Sequence, residues 1–366
     1  MSRLLMCGLM VAGCTSRDAP PSTIPPPVEV IVRPTLLCET PYGEWERTEQ
    51  VLVDDVAGYA LAGQGAIVTG ERRLEVGPRP MQVLWMTQVE GRVETEAVIV
   101  EDSDTLWPTA ATADLGTVYV FVEHDFTDPE VIETEILRIE RDGTISARVA
   151  GPLSGIGTTA SLAVDEGRVV LAIPDGRRNT DVTVFDRDLT MLAEQHFGGH
   201  GFGVVRSGRD GIRLAAAEIN LGVVHVYRLE AERFVLEITH ETGRAGWVYW
   251  VDDHVSVWAE DRTLLLRDNG EHLEIAPPPG ALGVVEMSGS RTPFGLVLAA
   301  TSEGRTWLGV LNADDSVTDW DSVFLFAVLP STHAEFDTVA ALGIDLRGRG
   351  RPLTRVAFRC PIPAPI

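Results

Sequence analysis

Tight turns punctuate the chain and alternate between two kinds of hairpin, and this alternation limits what it can fold into more than any other feature. In the first kind, a short strand and a turn lead into a strongly apolar strand. It reads VAGYALAGQGAIVTG from Val56, TAATADLGTVYVFVEH from Thr109, TTASLAVDEGRVVLAI from Thr158, GVVRSGRDGIRLAAAE from Gly203 and WVYWVDDHVSVWAE from Trp247. It recurs from Leu282 and from Val339, and the turns fall near Gly65, Gly116, Gly167, Gly211, Asp253, Ser290 and Gly348. The second kind has more polar strands, as in ETEILRIERDGTISARV. Its turns fall at Glu90-Gly91, Asp142-Gly143, Arg187-Asp188, Ala231-Glu232, Asn269-Gly270 and Asp314-Asp315. No long stretch carries helical periodicity with caps at both ends. Leu229–Glu241 reads as helix or strand, its centre Phe234-Val235-Leu236 suiting a strand equally well.

One hairpin of each kind recurs every about 37–59 residues, which gives four strands per period, the sequence signature of a β-propeller. The expected fold of residues 35–366 is therefore all-β: a propeller of seven four-stranded blades, with six or eight as alternatives. The apolar hairpins form the inner strands of each blade and the polar hairpins the outer pair. A seventh polar hairpin is missing at the C-terminal end. It is found at the other end as TLLCET from Thr35, the turn Pro41-Tyr42-Gly43 and then EWERTEQVLV. One blade is thus expected to combine both ends of the chain and close the ring. The resemblance to propellers is one of pattern, with no regular Trp-Asp ending of the WD kind. Residues 300–307 resemble the sialidase Asp box in Gly304, Thr306 and Trp307. Ala300 and Ser302 stand where that box has Ser and Asp, so no activity carries over.

Residues 1–13 read as a secretory leader, with Arg3, the apolar run Leu4–Ala12 and Gly13 directly before Cys14. The run is too short to span a bilayer, which takes about 20 residues. Val11-Ala12-Gly13-Cys14 resembles the lipobox of bacterial lipoproteins. That resemblance implies a lipid (diacylglycerol and palmitate) on Cys14, a membrane-anchored mature chain and a place in the bacterial cell envelope. Thr15 stands where an Asp would resemble an inner-membrane retention signal, which leans toward the outer membrane. Residues 14–34 hold Pro20, Pro21, Pro25, Pro26, Pro27 and Pro34 and read as a polyproline tether. Cys7 leaves with the leader, so Cys38 and Cys360 remain, one near each end of the folded part. An even pair in an exported protein suggests a disulfide, which requires their Cα atoms to lie within ~7 Å.

A net charge of −24 disfavours nucleic acid, whose binding depends on neutralising phosphates. All 30 basic residues are arginine, which excludes any mechanism built on a lysine amine. Propeller topology then sorts the reactive side chains. Hairpin turns lie on one face; the connections between second and third strands, and between blades, lie on the other and surround the channel mouth. That second face is expected to carry His124 with Asp125, Asp175 with Arg177 and Arg178, and the blade-to-blade segments with Trp107, His196–His200, His240 with Arg244, and His333 with Glu335. The candidate ligand-binding residues are therefore His124, Asp175, Arg177, Arg178, His196, His200 and His240.

His196 and His200 are spaced to share a metal on a helix, but the glycines between them place them on a loop, and no metal site is assigned. There is no G-x-S-x-G nucleophile motif, and neither a catalytic residue nor a cofactor is assigned. Trp85, Trp250 and Trp258 fall within strands and read as packing residues. The expected function is a binding or scaffold module for an envelope protein or a glycan. The alternative is an extracellular propeller hydrolase or lyase acting on a polymer. Convergence of His124, His196, His200 and His240 on one point would favour that alternative.

Overall fold

The short β-branched runs do become strands, twenty-eight among the described residues, with no helix. The computed structural model describes residues 46–54, 56, 58–62, 65–71, 79–89, 92–103, 106–124, 133–151, 160–175, 178–282, 285–292, 295–303, 305–311, 317, 320–323, 325–335, 338–345 and 351–359. The leader, the tether, Cys14, Cys38, Cys360, Asp125 and Arg177 fall outside these residues.

In chain order, β1 (Glu46–Val53) is followed by antiparallel quartets. The first is β2–β5 (Gly58–Ala62, Ala66–Glu71, Arg79–Val89, Arg92–Ile99) and the second β6–β9 (Trp107–Asp114, Thr117–Glu123, Thr134–Ile139, Ile145–Ala150). The third is β10–β13 (Ser161–Asp165, Arg168–Pro174, Asn179–Asp186, Met191–Gly198). The fourth is β14–β17 (His200–Gly208, Gly211–Glu218, Val223–Glu230, Arg233–Glu241). The fifth is β18–β21 (Ala245–Val251, His254–Ala259, Arg262–Leu266, His272–Ile275). The sixth is β22–β25 (Glu286–Thr292, Gly295–Ser302, Arg305–Leu311, Asp321–Ser322). A single parallel bridge, Val251 to Gly289, joins the fifth to the sixth. The last three strands, β26 (Leu325–Glu335), β27 (Thr338–Asp345) and β28 (Leu353–Arg359), take β1 as their fourth, in the order β26-β27-β28-β1.

Local backbone chemistry explains the hairpins. Leu115-Gly116 and Glu166-Gly167 each place two successive residues at positive φ (48° and 86°, 44° and 82°). That is the type I′ geometry whose twist matches a two-residue hairpin. The strands read differently by depth in the sheet. In β7, residues 118–123 are all buried, because neighbouring quartets cover both of its faces. The outermost β9 alternates half-buried and exposed residues along its length, since only one face is covered.

Successive quartets pack face to face, and each pair encloses a buried cluster. Val120 and Leu137 of the second meet Val68 and Val83 of the first. Ala215 and Val226 of the fourth meet Val257 and Leu264 of the fifth. Leu342, Ile344 and Leu353 of the last meet Ile67 and Leu84 of the first, which closes the circle. The seam is also hydrogen-bonded: Tyr59 Oη donates to the Leu342 carbonyl (3.2 Å) and Val56 N to the Arg351 carbonyl (2.9 Å). Burying one such aliphatic or aromatic side chain stabilises by roughly 1.5–3 kcal/mol, so these interfaces hold the ring together. The fold is an all-β propeller.

Three expectations change. Both ends of the chain do share the closing sheet, with Glu46 opposite Arg359, but its third strand is β28 and not residues 35–40. The innermost strand of that sheet is β26, which the sequence reading passed over. Its Pro330, Ser331 and Thr332 interrupt the apolar pattern, and its pairing shifts register between Phe326 and Ser331. His333 and Glu335 therefore lie on β26, and Trp107 opens β6, where loops were expected. Finally, Ser290 is paired with Val297 inside β22, where a turn was expected.

Candidate functional site

The first strands of the third to sixth quartets, with Pro174 of β11, enclose a cavity of about 180 Å³. Ser161 comes from β10, Phe202, Gly203 and Val204 from β14, Trp247 to Trp250 from β18, and Met287 and Ser288 from β22. Phe202, Ser161 and Met287 sit near the starts of their strands. The cavity thus lies toward the face where the blade-to-blade connections arrive. Its wall is aromatic. Phe202 and Trp247 pack in a tilted arrangement (43°) with ring centroids 4.3 Å apart, and Trp250 is fixed by an Nε1–H bond to the Val204 carbonyl (2.9 Å). Trp250 is thus a wall residue as well as a packing one.

One lining residue, Tyr249, bonds a carboxyl that lies outside the lining itself. The Tyr249 hydroxyl donates to the Glu286 carboxyl, the residue before Met287. Burial pushes the Glu286 carboxyl up to about 7, with the tyrosine hydroxyl pulling the other way. Burial, with the carboxylate beside it, raises the Tyr249 hydroxyl well above its ordinary value. A carboxyl that titrates near neutral pH beside a concave aromatic wall is the pattern from which a binding or reactive site is built.

The sequence-derived candidates are dispersed. His124 Nε2 lies 3.3 Å from Glu135, which Arg148 also approaches at 3.2 Å. Asp175 accepts from the backbone N–H groups of Arg178 and Asn179 (2.8 and 2.9 Å) and from the Asn179 amide, so it shapes the connection between β11 and β12. Arg178 is exposed there. His196 bonds Asp181 at 2.6 Å, its cross-strand partner in β12. His240 is buried at the end of β17 beside His272 (ring centroids 5.5 Å), and burial first, then His272, lowers its pKa.

His196 and His200 are not on a loop. They end β13 and open β14, with only Gly199 (φ 88°) between the two sheets, so the rings point to different partners. His200 is buried, donates from Nδ1 to the Gly198 carbonyl (3.0 Å) and faces Tyr227 Oη through Nε2 (3.2 Å). Burial is the main cause lowering its pKa. The four histidines thus have four separate sets of partners, and the convergence that would have favoured catalysis is not seen.

Trp247, Tyr249 and Glu286 were missed, as were Glu218 and His225 beside His200. Their only signal is a place within a strand, which becomes legible once register is known.

No protein-family model matches the chain, and no curated protein sequence matches it. Solved structures do. Virginiamycin B lyase from Staphylococcus aureus superposes with a TM-score of 0.51 at 12% identity, over 86% of this chain and 99% of that one. KlHsv2 with a loop replaced by a Gly-Ser linker gives 0.52 at 10% identity, over 84% and 99%. At such identities the likeness is one of fold, and it is a propeller fold.

Proposed function

We propose that this chain is a lipid-anchored protein of the bacterial envelope whose propeller is a binding module, taking one ring of a glycan into the aromatic cavity. The cavity wall carries this reading. Phe202, Trp247 and Trp250 offer flat apolar faces for the C–H side of a sugar ring, and Tyr249, Ser161 and Ser288 place hydroxyls among them. At about 180 Å³ the space is smaller than the roughly 300–1,000 Å³ of pockets that enclose a whole drug-sized ligand. It suits a single unit of a larger polymer. The net charge of −24 weighs against nucleic acid as that polymer.

The test is an array of bacterial envelope oligosaccharides probed with the full chain. A bound glycan whose affinity falls at least tenfold in Trp247→Ala and in Tyr249→Phe is expected. No bound glycan, or binding indifferent to both changes, would remove the glycan reading and leave a protein partner. Shortened oligosaccharides recovered from the array would instead support the alternative of a polymer-cleaving hydrolase or lyase.

The anchor and the bridge belong to the same proposal. Cys14→Ser should release the protein from membranes, and unchanged retention would overturn the lipid on Cys14. Cys360 directly follows Arg359, the residue opposite Glu46, and Cys38 lies shortly before Glu46. This nearness of the chain ends supports a Cys38–Cys360 disulfide, which two free thiols under non-reducing mass spectrometry would refute.

A further inference from the structure

In the fourth quartet, the sheet geometry gathers a second cluster, separate from the aromatic cavity. His200 of β14 pairs directly with Glu218 of β15. His225 of β16 pairs with Ala216, two residues before Glu218. Side chains two apart on a strand share a face, so all three project to the same side of one sheet. Each offers one ligand atom, and these atoms lie within 4.8 Å of one another. His225 Nε2 stands 3.6 Å from Glu218 Oε2.

The outer nitrogens of both rings are already engaged. His200 Nδ1 bonds the Gly198 carbonyl (3.0 Å), and His225 Nδ1 bonds Thr239 Oγ1 (2.9 Å). The Gly198 carbonyl can only accept, so it holds the His200 proton on Nδ1 and leaves the Nε2 lone pair facing inward. The Thr239 hydroxyl is able to accept from His225 Nδ1 in the same way, which is how metal-binding imidazoles are oriented. Gly199 leaves room for the Glu218 carboxylate, since a Cβ built there would lie only 3.1 Å from Glu218 Oε1. His200 is buried, whereas the Glu218 and His225 side chains keep 24% and 17% of their exposure, so one side stays open to water.

We infer that His200, Glu218 and His225 form a binding site for a divalent transition-metal ion, Zn²⁺ by the nature of the ligands. Two imidazoles and a carboxylate suit zinc, and not the all-oxygen shells of calcium or magnesium. Zinc bonds of about 2.1 Å place neighbouring ligand atoms roughly 3.4 Å apart, so the side chains close by about an ångström on binding. The fourth position belongs to water on the open side, with the Tyr227 hydroxyl, 3.2 Å from His200 Nε2, beside it.

The experiment uses the untagged full chain, stripped with EDTA and dialysed against ZnCl₂, with bound metal measured by mass spectrometry. One equivalent per chain is expected, retained against millimolar Ca²⁺, together with a rise in Tm. The Co²⁺ form should show the visible absorption of a four-coordinate nitrogen–oxygen site. The His200→Ala/His225→Ala double variant should lose binding at least a hundredfold. Thr239→Val, which only removes the support of His225, should weaken it about tenfold. Less than a tenth of an equivalent in the unaltered chain would overturn the site, and so would equal zinc in a folded double variant. If the double variant does not fold, the Co²⁺ spectrum of the unaltered chain decides, and absence of the visible bands overturns the site. None of these readouts depends on the glycan proposal.

Discussion

Asp252 and Glu286 are carboxyls on adjacent inner hairpins, placed toward opposite ends of the ring, and their surroundings differ in kind. Asp252 follows β18 at the hairpin turn. Its carboxylate meets Arg291 Nε at 3.0 Å and Arg206 at 3.5 Å, and Arg206 also donates to its main-chain carbonyl. Its own N–H reaches the Gly289 carbonyl (3.1 Å), so this one residue ties the fourth, fifth and sixth quartets together. Glu286, at the start of β22, meets a tyrosine hydroxyl instead of a guanidinium, and burial dominates its protonation. The first carboxylate is committed to holding sheets together. The second keeps a proton exchangeable near neutral pH, which is what a site can use.

The largest effect should come from breaking the clasp. Asp252→Ala strips the partly buried Arg206 guanidinium of its main counter-charge, leaving only Asp253 facing it. The loss, discounted from that of a fully buried pair, should be about 2–3 kcal/mol. Urea unfolding checks this, and a loss below about 1 kcal/mol would mean the clasp does not hold the quartets.

Next comes the pH dependence of Glu286. Its folded pKa lies at about 7 against 4.5 when exposed, so the folded state retains a proton that the unfolded chain has released. Its stabilising contribution is therefore full below pH 4.5 and is lost as pH rises through 7. Moving from pH 5 to pH 8 should cost the wild type about 2 kcal/mol through this group, and Glu286→Gln should flatten that part of the profile. A variant with an unchanged slope between pH 5 and 8 would remove the contrast between the two carboxyls.

Trp250→Phe keeps an aromatic wall but strips the N–H from the Val204 carbonyl, for a loss of about 1 kcal/mol in thermal or urea unfolding. The smallest change is at the rim of the clasp. Arg291 is half exposed, so Arg291→Ala should cost about 0.5 kcal/mol and shrink further in 1 M NaCl. A loss equal to that of Asp252→Ala would show that Arg291, and not Arg206, carries the clasp.

Much of the ring was legible in the residues because hairpin turns are local. Leu115-Gly116 and Glu166-Gly167 announce themselves by the positive φ they must adopt. The closing sheet was half legible: the shared ends were anticipated, but β26, broken by Pro330 and polar residues, did not look like an innermost strand. The histidine cluster shows the limit most clearly. Counting outward from the Gly208–Gly211 pair sets His200 opposite Ile219, whereas a bulge before Phe202 moves it opposite Glu218. A slip of one residue turns a side chain to the other face. Nothing in the local sequence dictates that bulge.

The amino-acid sequence by itself determined the strand-and-turn rhythm, without helix among the described residues, and the sharing of one sheet by the first and last described strands, because turn dihedrals and apolar runs are properties of neighbours along the chain. Only the tertiary structure decided which strand fills each place in the closing sheet, which aromatic residues face the cavity, and which histidines meet a carboxylate. Those outcomes depend on register and on packing between sheets, where residues far apart in sequence compete for the same buried space.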